Sequence, residues 1–234
     1  ENGGASAIPA ERGNAAAADG GEPERAERAD PAPQADVAAE KTMTTPRTAG
    51  RMYRPALLPE KKLTVAEFAE PRNEKLLRGR VELIVRTEAP ISAKLLTRRL
   101  LQSLGMTRLG PRAQKYLNGL LASMALKTTE REDMTWYWHD GQDPDGYEGF
   151  RVSGDGAAKR DAADVPAQEA ANALCEALRE QIALPEEDLL CETAKKLGYP
   201  RAGVSARNAA AAGLALAAAR GLAAPDRNGC WTLK

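Results

Sequence analysis

Apolar residues recur at helical spacing in three successive segments of this chain, and the same order then appears a second time. Leu77, Val81, Ile84 and Val85 fall on one side of a predicted helix over residues 73–88. Pro90 ends that helix, Ile91 offers a one-residue strand contact, and Ser92 is placed to N-cap a second helix bearing Leu96, Leu100 and Leu104. Gly105 supplies the stop, in a left-handed conformation that glycine adopts without a Cβ penalty. A third helix is predicted over residues 111–125, with Pro111 in its first turn and Ala113, Leu117, Leu120 and Met124 on its core side. Residues 126–139 read as two short strands around a polar turn at 130–133, the run Trp136-Tyr137-Trp138 favouring strand.

The second set comprises helices over about 166–182, 185–197 and 205–220, a stop at Gly198 and a hairpin ending at Trp231. Pro166 and Pro185 suit first-turn positions, and Glu186-Glu187-Asp188 complements a helix dipole. A shift of 93 positions superposes the two sets without a gap: Leu96 on Leu189, Leu104-Gly105 on Leu197-Gly198, Arg108 on Arg201, Gly110 on Gly203, Leu121 on Leu214 and Trp138 on Trp231. The period is too long for a solenoid unit and fits two copies of one small domain. Helix, short strand, helix, turn, helix, hairpin is the order of a winged helix. The predicted fold class is therefore mainly α with small β-hairpins, as two tandem winged-helix modules.

Composition divides the chain further. Residues 1–52, rich in Ala, Gly, Pro, Glu and Arg, hold too few large apolar side chains to offset the entropy of ordering and are expected to be a disordered linker. The absence of an initiator Met points to a fragment of a longer protein. Module one is assigned to 53–139, a Gly- and Asp-rich flexible connector to 140–163, and module two to 164–234. No apolar run reaches the length of a membrane span, and the start lacks a signal-peptide pattern. Cys175, Cys191 and Cys230 form no Cys-x-x-Cys pair, which predicts incidental thiols in a reducing cytoplasm and no zinc site.

The zero net charge conceals an asymmetry. Residues 53–139 carry 16 basic and 9 acidic side chains, whereas residues 164–234 carry 8 basic and 9 acidic. The basic excess concentrates interest on the third helix of module one, where Arg112, Gln114, Lys115 and Asn118 lie opposite the core face around small Gly119 and Ala122. Long donors over small residues let a helix approach a nucleic-acid groove, and Arg, Gln and Asn can pair with base edges. Arg98, Arg99 and Arg108 are candidates for phosphate contacts that set register. Arg108 matches Arg201 across the copies, which favours a shared fold role such as capping a helix C-terminus. In module two the equivalent helix is alanine-rich, from Ala209 to Ala219, and offers few donors. Trp136 and Tyr137 could stack on bases, although packing is the favoured reading. With one histidine, no phosphate-binding glycine loop, no metal-ligand cluster and no nucleophile elbow, neither catalysis nor a cofactor is expected.

Several local motifs carry a resemblance: Tyr53-Arg54-Pro55, Phe68, Glu88-Ala89-Pro90-Ile91, the stretch from Leu95 to Gly105 with its two arginines, and Leu197-Gly198-Tyr199-Pro200-Arg201-Ala202-Gly203. Together they resemble an uncharacterised C-terminal domain of large bacterial superfamily-1 helicase-like proteins, in which a restriction-endonuclease-like domain often lies just upstream. Ala89 stands where that family commonly has Gly, and the alanine-rich last helix is a larger departure. The resemblance implies an accessory region of a nucleic-acid-remodelling ATPase or nuclease, whose motor residues lie upstream. The expected partners are DNA or RNA and the upstream helicase or nuclease domains, with no membrane and no small-molecule substrate. The competing expectation is a scaffold whose modules pack on the upstream motor or another protein.

Overall fold

The apolar periodicities become helices at the predicted places. The computed structural model describes residues 50–131 and 134–234. The disorder expected for the first 49 residues, and the turn residues Glu132 and Asp133, lie outside them. Strand β1 (Arg51–Met52) and helix α1 (Val65–Phe68) precede module one, which comprises α2 (Glu74–Glu88), β2 (Ile91–Ser92), α3 (Ala93–Ser103), α4 (Pro111–Ser123), β3 (Lys127–Arg131) and β4 (Met134–Trp138). Strand β5 (Arg151–Val152) belongs to the connecting segment. Module two repeats the order with α5 (Ala167–Gln181), β6 (Ala183–Leu184), α6 (Glu186–Lys196), α7 (Val204–Ala219), β7 (Ala223–Pro225) and β8 (Trp231–Leu233). Each module is a winged helix: three helices against a three-stranded sheet, ordered β2-β4-β3 in one and β6-β8-β7 in the other.

The helices obey the 93-residue shift closely, since α2 and α5, and α3 and α6, start and end at equivalent positions. Gly105 and Gly198 both stop their helices with positive φ, at 68° and 91°. Ser92 caps α3 by accepting from the Leu95 amide at 3.0 Å. Pro185 and Pro166 sit one residue earlier than predicted, at the N-caps of α6 and α5.

The hairpins break the shift, by four residues in their first strand and by one in their last. In module one Ile91 pairs with Tyr137, whereas in module two Leu184 pairs with Trp231. Trp231 is thus the counterpart of Tyr137, and the sequence match of Trp138 to Trp231 is corrected by a net shift of one residue: Ala224 answers to Lys127, four positions beyond the shift, and the turn that follows is three residues shorter. Because side chains alternate along a strand, this slip exchanges faces. Tyr137 and Trp231 pack against their own modules' cores, while Trp136 and Trp138 share the other face of β4 and are buried there. The Trp138 ring meets Tyr147 of the connecting segment edge-on at 5.2 Å, and Trp136 Nε1 donates to the Asp164 carbonyl at 3.4 Å. Neither tryptophan is available as a base-stacking platform.

The alanine richness of α7 has its cause in packing against α5. Leu77 and Ile84 of α2 are replaced at equivalent positions by Ala170 and Ala177, and Leu117 and Leu120 of α4 by Ala210 and Gly213. Both partners have shrunk, so the helices approach closely. A Cβ at Gly213 would lie 2.5 Å from the Ala170 backbone, so no larger residue fits.

The connecting segment is built into the protein by charges that no copy comparison reveals. Phe150, Arg160 and Ala162 are buried, and β5 pairs in parallel with β1, so residues 51 and 52 belong to the fold and not to a linker. The carboxylate of Glu169 on α5, fully buried, receives Arg160 through Nη2 at 2.7 Å and Nη1 at 3.1 Å, and Arg151 through Nε at 3.0 Å and a second Nη2 contact. Arg151 reaches on to the carbonyls of Glu88 and Pro90, both at 2.6 Å, at the end of α2. Tyr53 lies beneath both guanidiniums, at 5.4 and 5.0 Å, and donates its hydroxyl to the buried Glu88 carboxylate. A second tie is Asp164, buried, which accepts from Ser92 Oγ at 2.5 Å and Arg98 at 3.1 Å. The two modules are therefore joined through buried ion pairs within one compact unit.

Burial raises the Glu169 carboxyl, but the Arg151 and Arg160 charges and hydrogen bonds outweigh it and hold it down at about 2. An unfolded glutamate titrates at about 4.3. The stabilisation is therefore complete above about pH 5 and lost as pH falls from about 4.3 toward the folded value. Glu169→Gln is expected to lower unfolding free energy at neutral pH by about 3–5 kcal/mol, because two guanidiniums lose their carboxylate. Urea titrations of both proteins across this pH range should give a flatter acid limb for the variant; parallel limbs would contradict the assignment.

Candidate nucleic-acid interface

Helix α4 stands on its module by Ala113, Leu117, Leu120 and Leu121, all buried. The opposite arc leaves Arg112, Lys115 and Asn118 exposed, with Gln114 half-buried. Gln114 Nε2 donates to Asn118 Oδ1 at 2.9 Å, so the two amides, one turn apart, hold each other and keep their outer donor and acceptor open. Arg108 is exposed in the turn before α4. Arg108, Arg112 and Lys115 make no hydrogen bond or ion pair with any described residue.

Beside this arc a groove of about 480 Å³ runs between α2 and α4, lined by Glu74, Arg78, Arg112, Lys115, Tyr116 and Ser123. Arg78 bridges its walls, bonding Glu74 at 2.9 Å and Ser123 Oγ at 2.7 Å. The Tyr116 hydroxyl is buried and has no hydrogen-bond partner among the described residues, and burial together with the Glu74 charge pushes its phenol upward. Sequence reasoning missed Arg78, Tyr116 and Ser123. The i,i+4 pair Glu74–Arg78 is visible on a wheel, but its reach to α4 is a tertiary fact.

The seven predicted residues do not form one surface. Arg98 and Arg99 line a different and larger cleft, which shares no residue with the α4 groove. Arg99 is bound inward, with Nε 3.3 Å from the buried Glu88 and Nη2 3.2 Å from the Ala157 carbonyl, and only 15% of its side chain exposed. Burial lowers its affinity for a proton, and Glu88 and Tyr53 together more than restore it. Arg98 is half-occupied by Asp164. Arg99 thus serves the fold, and the open cations are Arg108, Arg112 and Lys115.

Module two lacks this arrangement. Arg207 on α7 is paired with Glu187 at 2.8 Å and the Ala202 carbonyl at 3.0 Å, and Arg220 with Asp145 at 3.1 Å. Arg201, the counterpart of Arg108, is exposed, and neither caps a helix C-terminus, so the fold role inferred from their match is absent. Among the described residues no group of three or more His, Cys, Asp or Glu is placed to hold a metal, and no helix is long and apolar enough to cross a membrane.

The division between fold and surface cations has a direct consequence. Arg99→Ala should destabilise the protein by about 1–3 kcal/mol through the uncompensated Glu88, whereas Arg112→Ala and Lys115→Ala should stay within about 0.5 kcal/mol of the parent. Thermal and urea unfolding of the three variants check the contrast; a silent Arg99→Ala would overturn it.

Residues 66–115, from α1 into the second turn of α4, match a family described as a protein of unknown function (DUF3320), a stretch well under half of the chain. The match contains Arg98, Arg99, Arg108, Arg112, Gln114 and Lys115 and stops short of Asn118. No curated protein and no solved structure matches the chain.

Proposed function

We propose that this chain is a non-catalytic nucleic-acid-binding region that contacts DNA through the α4 surface of its first module. The observation that carries this reading is the set of three exposed cations, Arg108, Arg112 and Lys115, without a partner among the described residues, on and just before one helix. Structural arginines here are paired, as Arg99, Arg151, Arg160 and Arg207 are; open cations around paired amides are what phosphate and base-edge contact require. Gly119 and Ala122 keep the same arc low, so that a groove wall can come close. The resemblance to helicase-associated domains supports a setting beside an upstream motor or nuclease in a bacterial cytoplasm.

A second reading, a scaffold that packs on upstream domains, draws on one observation. Val204 is 77% exposed, and Ala211, Ala215 and Ala218 continue an uncovered small apolar face along α7.

Fluorescence anisotropy of the full chain on a labelled DNA duplex across a salt series tests the first reading. Three phosphate contacts predict a slope of log affinity against log salt of about −2.7. Arg112→Glu with Lys115→Glu should weaken binding by about tenfold or more and reduce the slope to about −1, with melting temperature unchanged. No salt-sensitive binding at low ionic strength would reject the reading in favour of the scaffold. An RNA duplex in parallel separates the two nucleic acids.

A further inference from the structure

We propose that the groove between α2 and α4 seats the sugar–phosphate backbone of one DNA strand, with Arg78 as its phosphate ligand on the α2 side. The inference rests on the α4 reading and adds to it a second helix and a place for the strand. The fold does not require this groove to be open. In module two Arg78, Tyr116 and Ser123 are replaced at equivalent positions by Ala171, Ala209 and Leu216, both alanines are buried, and Gly213 lets α7 close on the α5 backbone. In module one the larger Leu77, Leu117 and Leu120 hold α2 and α4 apart, and polar side chains wall the seam between them.

Arg78 is held there loosely. Its bonds from Nε to Glu74 and from Nη2 to Ser123 Oγ use two of the five guanidinium donors, so Nη1 stays open. The Arg78 and Glu74 side chains are 33% and 43% exposed, and a surface pair of that kind adds little stability, so a phosphate can take the guanidinium over. Arg99 and Arg160 differ, since their carboxylate partners are fully buried. On the α4 wall Arg112 and Lys115 line the groove without a partner among the described residues. Gly119 lies between them around the helix. A Cβ there would meet nothing within 4 Å, and Ala212 occupies the equivalent position, so the glycine lowers the lip of the groove without serving the packing.

A helix with its side chains is about 10–12 Å across and the major groove about 12 Å wide, so a helix lying in it has a phosphate strand against each flank. Arg112, Lys115 and Gly119 mark the flank of α4 that faces α2. Gln114 stands about 160° around the helix from Arg112, on the other flank. The strand on the first flank therefore falls into the groove, where Arg78 meets it, and the amide pair is left to base edges.

Fluorescence anisotropy of the full chain on a labelled duplex tests the groove. Arg78 as a fourth contact steepens the expected slope of log affinity against log salt to about −3.6, and Arg78→Gln should return it to about −2.7 and weaken binding by about threefold or more. Glu74→Gln, which releases Arg78, should tighten binding by about twofold or more. Gly119→Leu should weaken binding by about tenfold, because the side chain stands where the strand would lie. The same change favours the helix and should raise the melting temperature by about 2 °C, so the loss is not one of folding. Gly79→Leu, on the exposed face of α2 outside the groove, should stabilise likewise and leave binding unchanged. Duplex binding undiminished in Gly119→Leu, or unchanged in affinity and slope in Arg78→Gln, would overturn the groove and leave the α4 reading standing. An unaltered protein without salt-sensitive duplex binding would overturn both.

Discussion

The arrangement of the two modules centres on one buried carboxylate, with Asp164 as a second tie. Glu169 takes two guanidiniums at once, and each carries a further element with it: Arg151 holds the end of α2, and Arg160 holds the segment that crosses between the modules. Tyr53 beneath them fastens the chain preceding module one and passes the connection to Glu88 and Arg99. Charges taken out of water are costly unless their partners are complete, so such a cluster tolerates few alternative placements of the elements that bring it together. It fixes geometry more than it adds stability.

This constraint decides which cations remain for a ligand. Module one is basic by sequence, but a cation facing the second module is drawn into the junction, as Arg99 is, or half-occupied, as Arg98 is. Of the predicted residues, Arg108, Arg112 and Lys115 keep open charges on and just before α4, whereas Arg98 and Arg99 line a separate cleft, and no residue lines both grooves. A charge count over residues 53–139 cannot make that distinction, because it treats an arginine facing Glu88 like one facing solvent.

The helices, their caps and their stops were legible because each is written locally: apolar spacing, Ser92, Gly105 and Gly198 act within a turn or two of where they sit. The core face of α4 followed from the same periodicity. The hairpin register was not, since a longer approach to β7 and a shorter turn after it leave a net shift of one residue at Trp231, which keeps the strand pattern and still exchanges its two faces. The ionic junction was illegible for a different reason. Its members are unmatched between the copies: Glu88 stands opposite Gln181, Arg99 opposite Glu192 and Glu169 opposite Leu76. These differences between the copies build the junction, because the copies meet here through unlike surfaces. The Gly- and Asp-rich composition of residues 140–163 hid Arg151 and Arg160 in the same way.

The central claim is that buried ion pairs make the two winged helices one cooperative unit. Native-state hydrogen exchange read by mass spectrometry measures this directly, as the opening free energy of the most protected amides in α2 and α3 against those in α5 and α6. One shared value for both modules is predicted, separating into two when Glu169 is replaced by Gln. Two distinct values in the unaltered protein would contradict the account.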